Sequence, residues 1–166
     1  NPCSEIILRD KEFCNLTEVV VRPNDCPKSL KEKVRLAAIL GTWQATLTDF
    51  RYLSKEWKTN CEEEALLGVS LTGIMDNEFT NGCYDDSKDI QAVMDKLPAL
   101  LTMLKEVAIE TNVKIAKQLG INPSAAITCV KPSGTVSQLV DAASGIHARH
   151  SPHYIRTVRG DKKDPL

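Results

Sequence analysis

Cysteines stand at positions 3, 14, 26, 61, 83 and 129, and the first of them keeps suggestive company. Asn1-Pro2-Cys3-Ser4-Glu5 sets an amide, a thiol and a carboxylate at alternate positions, so an extended backbone would turn all three to one side. Pro2 lacks the N–H that a regular ladder needs, which suits presentation on a loop. A carboxylate beside a thiol raises the thiol pKa and works against a thiolate nucleophile. One-electron chemistry at sulfur does not need the thiolate. The plainer alternative is a frayed terminus without a role.

A second candidate is Lys131-Pro132-Ser133-Gly134-Thr135-Val136-Ser137, placed where an apolar, strand-like stretch gives way to a helix start. Unpaired N–H groups and the positive end of a helix dipole would face a ligand there, and phosphate is the natural guest. Gly134 permits close backbone approach, while Ser133, Thr135 and Ser137 bring hydroxyls without negative charge. An ordinary Ser/Thr-capped turn explains the pattern equally well, and G-x-x-x-x-G-K-[ST] is absent. His147, His150 and His153 stand three apart but beside Pro152, so a shared metal is not expected. Arg149, Arg156 and Arg159 are candidate phosphate contacts that surface charge explains as well.

The elements that must position these groups read as an alternation of strands and helices. Phe13–Val21 is rich in β-branched residues and ends at the turn signal Arg22-Pro23-Asn24-Asp25, so a strand is expected. Ser29 is the expected N-cap of a helix running on through Trp43 and Ala45. Glu62-Glu63-Glu64, read as a solvated face, leads into an apolar strand over Leu66–Met75. Ser87 would cap a second long helix from about Lys88 to Leu119, with Pro98 starting a turn or kinking it and Gly120 closing it. A short strand is expected over Ala125–Val130, and another over Tyr154–Val158. The β-α-β-α-β order with doubly buried strands argues an α/β domain with parallel pairing.

Twenty-one Lys and Arg against twenty-two Asp and Glu leave a net charge of −1, so no global field recruits nucleic acid or a membrane surface. No run of 18 apolar residues exists, and the first residues are unlike a signal peptide. A cytoplasmic protein with reduced thiols is expected, since the cysteines show no CxxC and no metal-type pairing. With no initiator Met, and with an end at Asp164-Pro165-Leu166, both termini look cut, as if the chain belonged to something larger.

Asn1-Pro2-Cys3-Ser4-Glu5, Phe13-Cys14-Asn15-Leu16 and Lys131–Ser137, in this order, resemble the large chain of ribonucleotide reductases. Leu67–Ile74, Thr42–Leu53 and the stretch from Ser144-Gly145-Ile146-His147 to Tyr154-Ile155-Arg156 extend the resemblance over essentially the whole chain. It is most similar to the adenosylcobalamin-dependent class II enzymes. The resemblance implies part of a ten-stranded α/β barrel: a finger loop over residues 1–12, then half-barrel strands and helices over 13–166, with long helices packed outside.

By the same resemblance, Cys3 carries a thiyl radical that removes the ribose 3′ hydrogen, Glu5 takes the 3′-hydroxyl proton and Asn1 hydrogen-bonds the sugar. Cys14 belongs to the redox pair that reduces the substrate, its partner lying outside this chain. Ser133, Gly134, Thr135, Val136 and Ser137 hold the substrate phosphates. A thioredoxin-type reductant and nucleotide effectors are the implied partners of the intact enzyme. Cys26, Cys61, Cys83 and Cys129 match no family role, and Ser4 departs from the glycine common at its position. The 166 residues alone are expected to be inactive. A class I diphosphate reductase fragment and a non-catalytic nucleotide-binding module are the competing readings.

Overall fold

The computed structural model describes residues 6–82, 90–155, 157, 159–163 and 165. Asn1, Cys3, Glu5, Cys83, Ser87 and Arg156 lie outside the described residues.

Strand β1 (Asn15–Val20) and strand β2 (Leu67–Thr72) pair in parallel, with Asn15 opposite Leu67 and Val20 opposite Thr72. A parallel pair cannot be closed by a tight turn and needs a crossover. Helices α1 (Pro27–Gln44) and α2 (Lys55–Glu64) supply it. On its other edge β2 receives the stretch 125–129: Leu67 donates to the Ala126 carbonyl, Val69 to Ile127, and Cys129 to Val69. That stretch forms only a parallel bridge, Val69 to Thr128, because Val130 already turns out to solvent.

Helix α1 begins earlier than Ser29 suggests. Pro27 has a preset φ and no N–H to leave unpaired, so the helix starts there with Cys26 as N-cap. Ser29 becomes the third helical residue and its hydroxyl accepts the Cys26 N–H at 3.0 Å. The buried stripe Leu30, Val34, Ala37, Ala38, Gly41 and Thr42 faces the sheet and the long helix α3 (Ile90–Leu119). Gly41 permits the close approach, since a Cβ there would sit 3.0 Å from Leu67 Cδ2. Each large apolar side chain buried in this layer contributes about 1.5–3 kcal/mol.

Helix α3 runs through Pro98 without a break in its assignment and ends at Gly120, whose φ of +70° suits glycine. Two turns before its end, Asn112 is fully buried and fully used. Its amide donates to Thr42 Oγ1 at 3.0 Å and to Ser124 Oγ at 2.8 Å, and its carbonyl oxygen accepts the Ser124 N–H at 2.9 Å. One side chain thereby fixes α1, α3 and the stretch entering the sheet edge.

Three expectations are corrected. Helix α1 stops at Gln44, and the separate α2 holds one buried residue, Cys61, so no apolar periodicity announces it. The acidic triplet is more than a solvated face: Arg9 pairs with Glu63 at 3.1 Å and Glu64 at 3.0 Å, and Lys11 pairs with Glu56, tying residues 9–11 to α2. Tyr154 and Ile155 are irregular and exposed; no strand lies beside them among the described residues to complete a ladder.

Candidate functional site

The loop Lys131–Ser137 is held at the carboxyl end of the two parallel strands, where open α/β sheets commonly bind ligands. Its last residues enter the short helix α4 (Thr135–Leu139). Ser133 and Ser137 are buried and serve the loop itself: Ser137 N–H donates to Ser133 Oγ at 3.1 Å, and Ser137 Oγ lies 2.8 Å from the Ser133 carbonyl. Their hydroxyls are therefore turned inward, contrary to the expectation that they would face a ligand. Gly134, Thr135 and Val136 are exposed instead, and N–H groups of a first helical turn have no intrahelical acceptor. What faces outward is a backbone surface with the Thr135 hydroxyl.

The clamp on this loop comes from β2. Thr72 Oγ1 donates to the Ala143 carbonyl at 3.0 Å and accepts the Gly145 N–H at 2.9 Å. Gly145 has a φ of +54°, and a Cβ there would meet the Lys131 carbonyl oxygen at 2.8 Å. Ser144 Oγ donates to the Ser133 carbonyl. The chain from 143 to 145 is thus a wedge between the end of β2 and the loop.

Arg149 fastens the far side. It reaches Asp76 at 3.0 Å and Asp141 at 2.8 Å, while Asp76 accepts the Ala143 N–H at 2.7 Å. Burial raises the Asp76 pKa, but the hydrogen bonds from Arg149 and the Ala143 N–H outweigh it and hold the carboxyl below its ordinary value. The two carboxylates raise the Arg149 pKa, Asp76 foremost. With both acids on it, Arg149 is a structural tie and not an available phosphate contact. His147, His150 and His153 are exposed, and among the described residues no group of three His, Cys, Asp or Glu could hold a metal ion.

Cys14 stands just before β1, half-buried, beside a cavity of about 270 Å³ that Phe13, Ala45, Phe50 and Cys61 also line. Cys61 Sγ accepts the Phe13 N–H at 3.3 Å, and burial pushes its thiol pKa up. Phe13 stacks on Trp57 at 4.7 Å between centroids, which anchors the residue next to Cys14 on α2. The structure places Cys14 and the loop at opposite ends of β1, about 20 Å apart at roughly 3.3 Å per residue.

The face of the sheet away from α1 connects them. Strand alternation puts Cys14, Leu16 and Glu18 on that face, and Gly68 beside them leaves room for Leu16, Ile6 and Cys129. Ile6, next in sequence to Glu5, therefore lies on the same face as Cys14. Glu18 pairs with Lys131 at 3.5 Å across it. Glu18 escaped the sequence reading as a site residue, because an isolated Glu in a strand carries no pattern, and Lys131 was read only as the opening residue of the loop motif.

The site is thus a layered α/β segment with a backbone-rich loop at the carboxyl ends of two parallel strands and a thiol at their amino end. No protein-family model matches the chain. The adenosylcobalamin-dependent ribonucleoside-triphosphate reductase of Lactobacillus acidophilus is 31% identical over 187 residues, covering all of this chain and 24% of the relative. The enzyme of the same name from Lactobacillus leichmannii is 30% identical over 183 residues, with the same coverage. A crystal structure of a B12-dependent class II ribonucleotide reductase superposes with a TM-score of 0.65 at 28% identity, covering 89% of this chain and 22% of that one. The chain is homologous to class II ribonucleotide reductases and spans about a quarter of the length of the relatives it matches.

Proposed function

We propose that this chain is a catalytic segment of an adenosylcobalamin-dependent ribonucleoside-triphosphate reductase, forming the finger loop and much of one half of a ten-stranded α/β barrel. The observation that carries the reading is the full-chain similarity to reductases, joined to a loop and a cysteine at the two ends of one sheet face. Cys3 takes the 3′ hydrogen of the ribose as a thiyl radical, Glu5 accepts the 3′-hydroxyl proton and Asn1 hydrogen-bonds the sugar. Cys14, with a partner cysteine outside this chain, delivers two electrons as the 2′-hydroxyl leaves as water, and a disulfide forms. A thioredoxin-type reductant then restores the thiols by exchange. Ser133 to Ser137 hold the substrate phosphates, with Gly134, Thr135 and Val136 presenting N–H groups and Ser133 and Ser137 shaping the turn. Nucleotide effectors act on the intact enzyme, which works in the cytoplasm.

Adenosylcobalamin finds no cradle among the described residues. One cavity, about 500 Å³, is apolar, lined by Val34, Leu71, Leu101 and Ile146 with Lys105 as its charged group, and offers none of the polar partners that a cobalamin's side chains would need. No residue here is assigned to hold the cofactor. The test is deoxynucleotide formation by the full-length polypeptide supplied with a ribonucleoside triphosphate, adenosylcobalamin and a dithiol. Cofactor-dependent turnover, abolished by Cys3→Ser while nucleotide binding persists, is expected. Unchanged turnover in Cys3→Ser would defeat the radical assignment, and absence of turnover in the wild type would defeat the reading.

A further inference from the structure

Glu18 is in an unusual position for a carboxylate. Its side chain is 10% exposed, and among the described residues neither oxygen accepts a hydrogen bond. The ion pair with Lys131 Nζ, at 3.5 Å, is a loose hold without hydrogen-bond geometry. A buried carboxylate short of donors is unfavourable, so the arrangement is kept only where something else compensates. Lys131 is itself three-quarters buried and opens the loop whose backbone faces the carboxyl end of the sheet. Glu18 lies four residues beyond Cys14 on one strand face, about 13 Å along it, and just short of the level of the loop. A nucleotide with its sugar toward Cys14 and its phosphates at the loop must pass over this pair.

We propose that Lys131 is a substrate-phosphate ligand and that Glu18 is the positioning residue that keeps its ammonium on the sheet face. The inference rests on the reductase reading above. The ammonium is a compact charge on a flexible stem, and it turns from Glu18 to the phosphate nearest the ribose as the nucleotide seats. The loop supplies directional N–H donors, and Lys131 supplies the charge that they lack. Arg149 cannot do so, being held by Asp76 and Asp141. Glu18 acts only through Lys131: without the cation, its bare carboxylate would repel the phosphates.

The experiment measures KM and kcat for a ribonucleoside triphosphate in the full-length polypeptide carrying Lys131→Gln, Lys131→Arg, Glu18→Gln or Glu18→Gln with Lys131→Gln. Lys131→Gln should raise KM about tenfold or more and leave kcat within about threefold. Lys131→Arg should stay within about threefold of wild type in KM. The double variant should recover part of the KM lost in Lys131→Gln, because it removes the uncompensated carboxylate. As a neutral pair of nearly unchanged shape, it also tests the cation if Lys131→Gln alone does not fold. An unmoved KM in the variants lacking Lys131 overturns the proposal. So does a loss confined to kcat or to melting temperature, the result expected if Glu18 merely bonds another protein segment. A double variant no better than Lys131→Gln removes the role of Glu18. Wild-type turnover with an unmoved KM sinks Lys131 alone, whereas a wild type without turnover sinks the reductase reading and this inference with it.

Discussion

Gly145→Ala concentrates two costs on the wedge that holds the loop. The backbone at Gly145 has a φ of +54°, where an L side chain costs about 1–2 kcal/mol. The added Cβ would also stand 2.8 Å from the Lys131 carbonyl oxygen. That oxygen belongs to backbone, so relief requires moving the loop by about half an ångström, at a cost of about 1–2 kcal/mol. A loss of about 2–4 kcal/mol follows, equivalent to a melting-temperature drop of roughly 5–15 °C for a domain of this size. Gly120→Ala and Gly134→Ala separate the two costs. Gly120 has a φ of +70° with nothing within 4 Å of a Cβ, so it carries only the backbone cost, about 1–2 kcal/mol. Gly134 has a negative φ and open space, so alanine should change stability by about 0.5 kcal/mol or less. Urea denaturation of the three variants, followed by circular dichroism, reads the order directly. In the full-length polypeptide, Gly145→Ala should also raise KM for nucleotide more than it lowers kcat. If Gly145→Ala is no less stable than Gly134→Ala, the wedge does not hold the loop.

Asn112→Leu replaces three buried hydrogen bonds with an apolar side chain of similar size, and at about 1 kcal/mol each the loss is about 3 kcal/mol; a urea midpoint equal to wild type would show that the hub contributes nothing. The depressed Asp76 pKa means that its stabilisation is complete above the ordinary aspartate range, near pH 4, and is lost as pH falls through the lower native value. Acid titration of wild type against Asp76→Asn should therefore converge at low pH and diverge above about pH 4; parallel curves would exclude the tie. Cys26, exposed at the start of α1, has its thiol pKa lowered by the Ser29 and Lys28 N–H groups, whereas burial raises that of Cys61. Iodoacetamide with mass-spectrometric readout at neutral pH should alkylate Cys26 well before Cys61, and equal rates would contradict the geometry.

Periodicity carries information only where an element has a face to bury, and the agreement between sequence and structure follows that line. Strand β2 carries Leu67, Val69 and Leu71 on one face with small residues between them, and α1 has a continuous small-and-apolar stripe, so both were legible. Helix α2 is polar around its circumference and is held by Phe13 on Trp57 and by Arg9 on the acidic triplet, contacts across about fifty residues that no local window contains. The helix start at Cys26 was missed because Ser29 plays its cap role from inside the helix, reversed by Pro27. At the loop, Lys131–Ser137 was legible as a turn from a strand-like stretch into a helix start, but the direction of its hydroxyls was not. Whether a serine hydroxyl faces a ligand or its own backbone is decided by the turn it adopts, and here Ser133 and Ser137 bond each other.

The wedge and the Glu18–Lys131 pair act on the same residue from two sides, which gives the site its logic. Gly145 fixes the Lys131 backbone through a contact that tolerates no side chain, and Thr72 fixes Gly145, so the backbone position of Lys131 is set by β2. Its side chain returns along the sheet face to Glu18 on β1. Lys131 therefore joins two parallel strands, one of which follows Cys14 and the other of which carries the clamp. A shift in the register of β1 against β2 by one residue would turn Glu18 to the α1 face and break that link. The register itself is held by Gly41 against Leu67 and by Gly68 beneath Leu16, both places where a methyl group would collide. The spacing between the proposed redox thiol and the proposed phosphate loop thus rests in part on close packing at Gly41 and Gly68, both outside the loop.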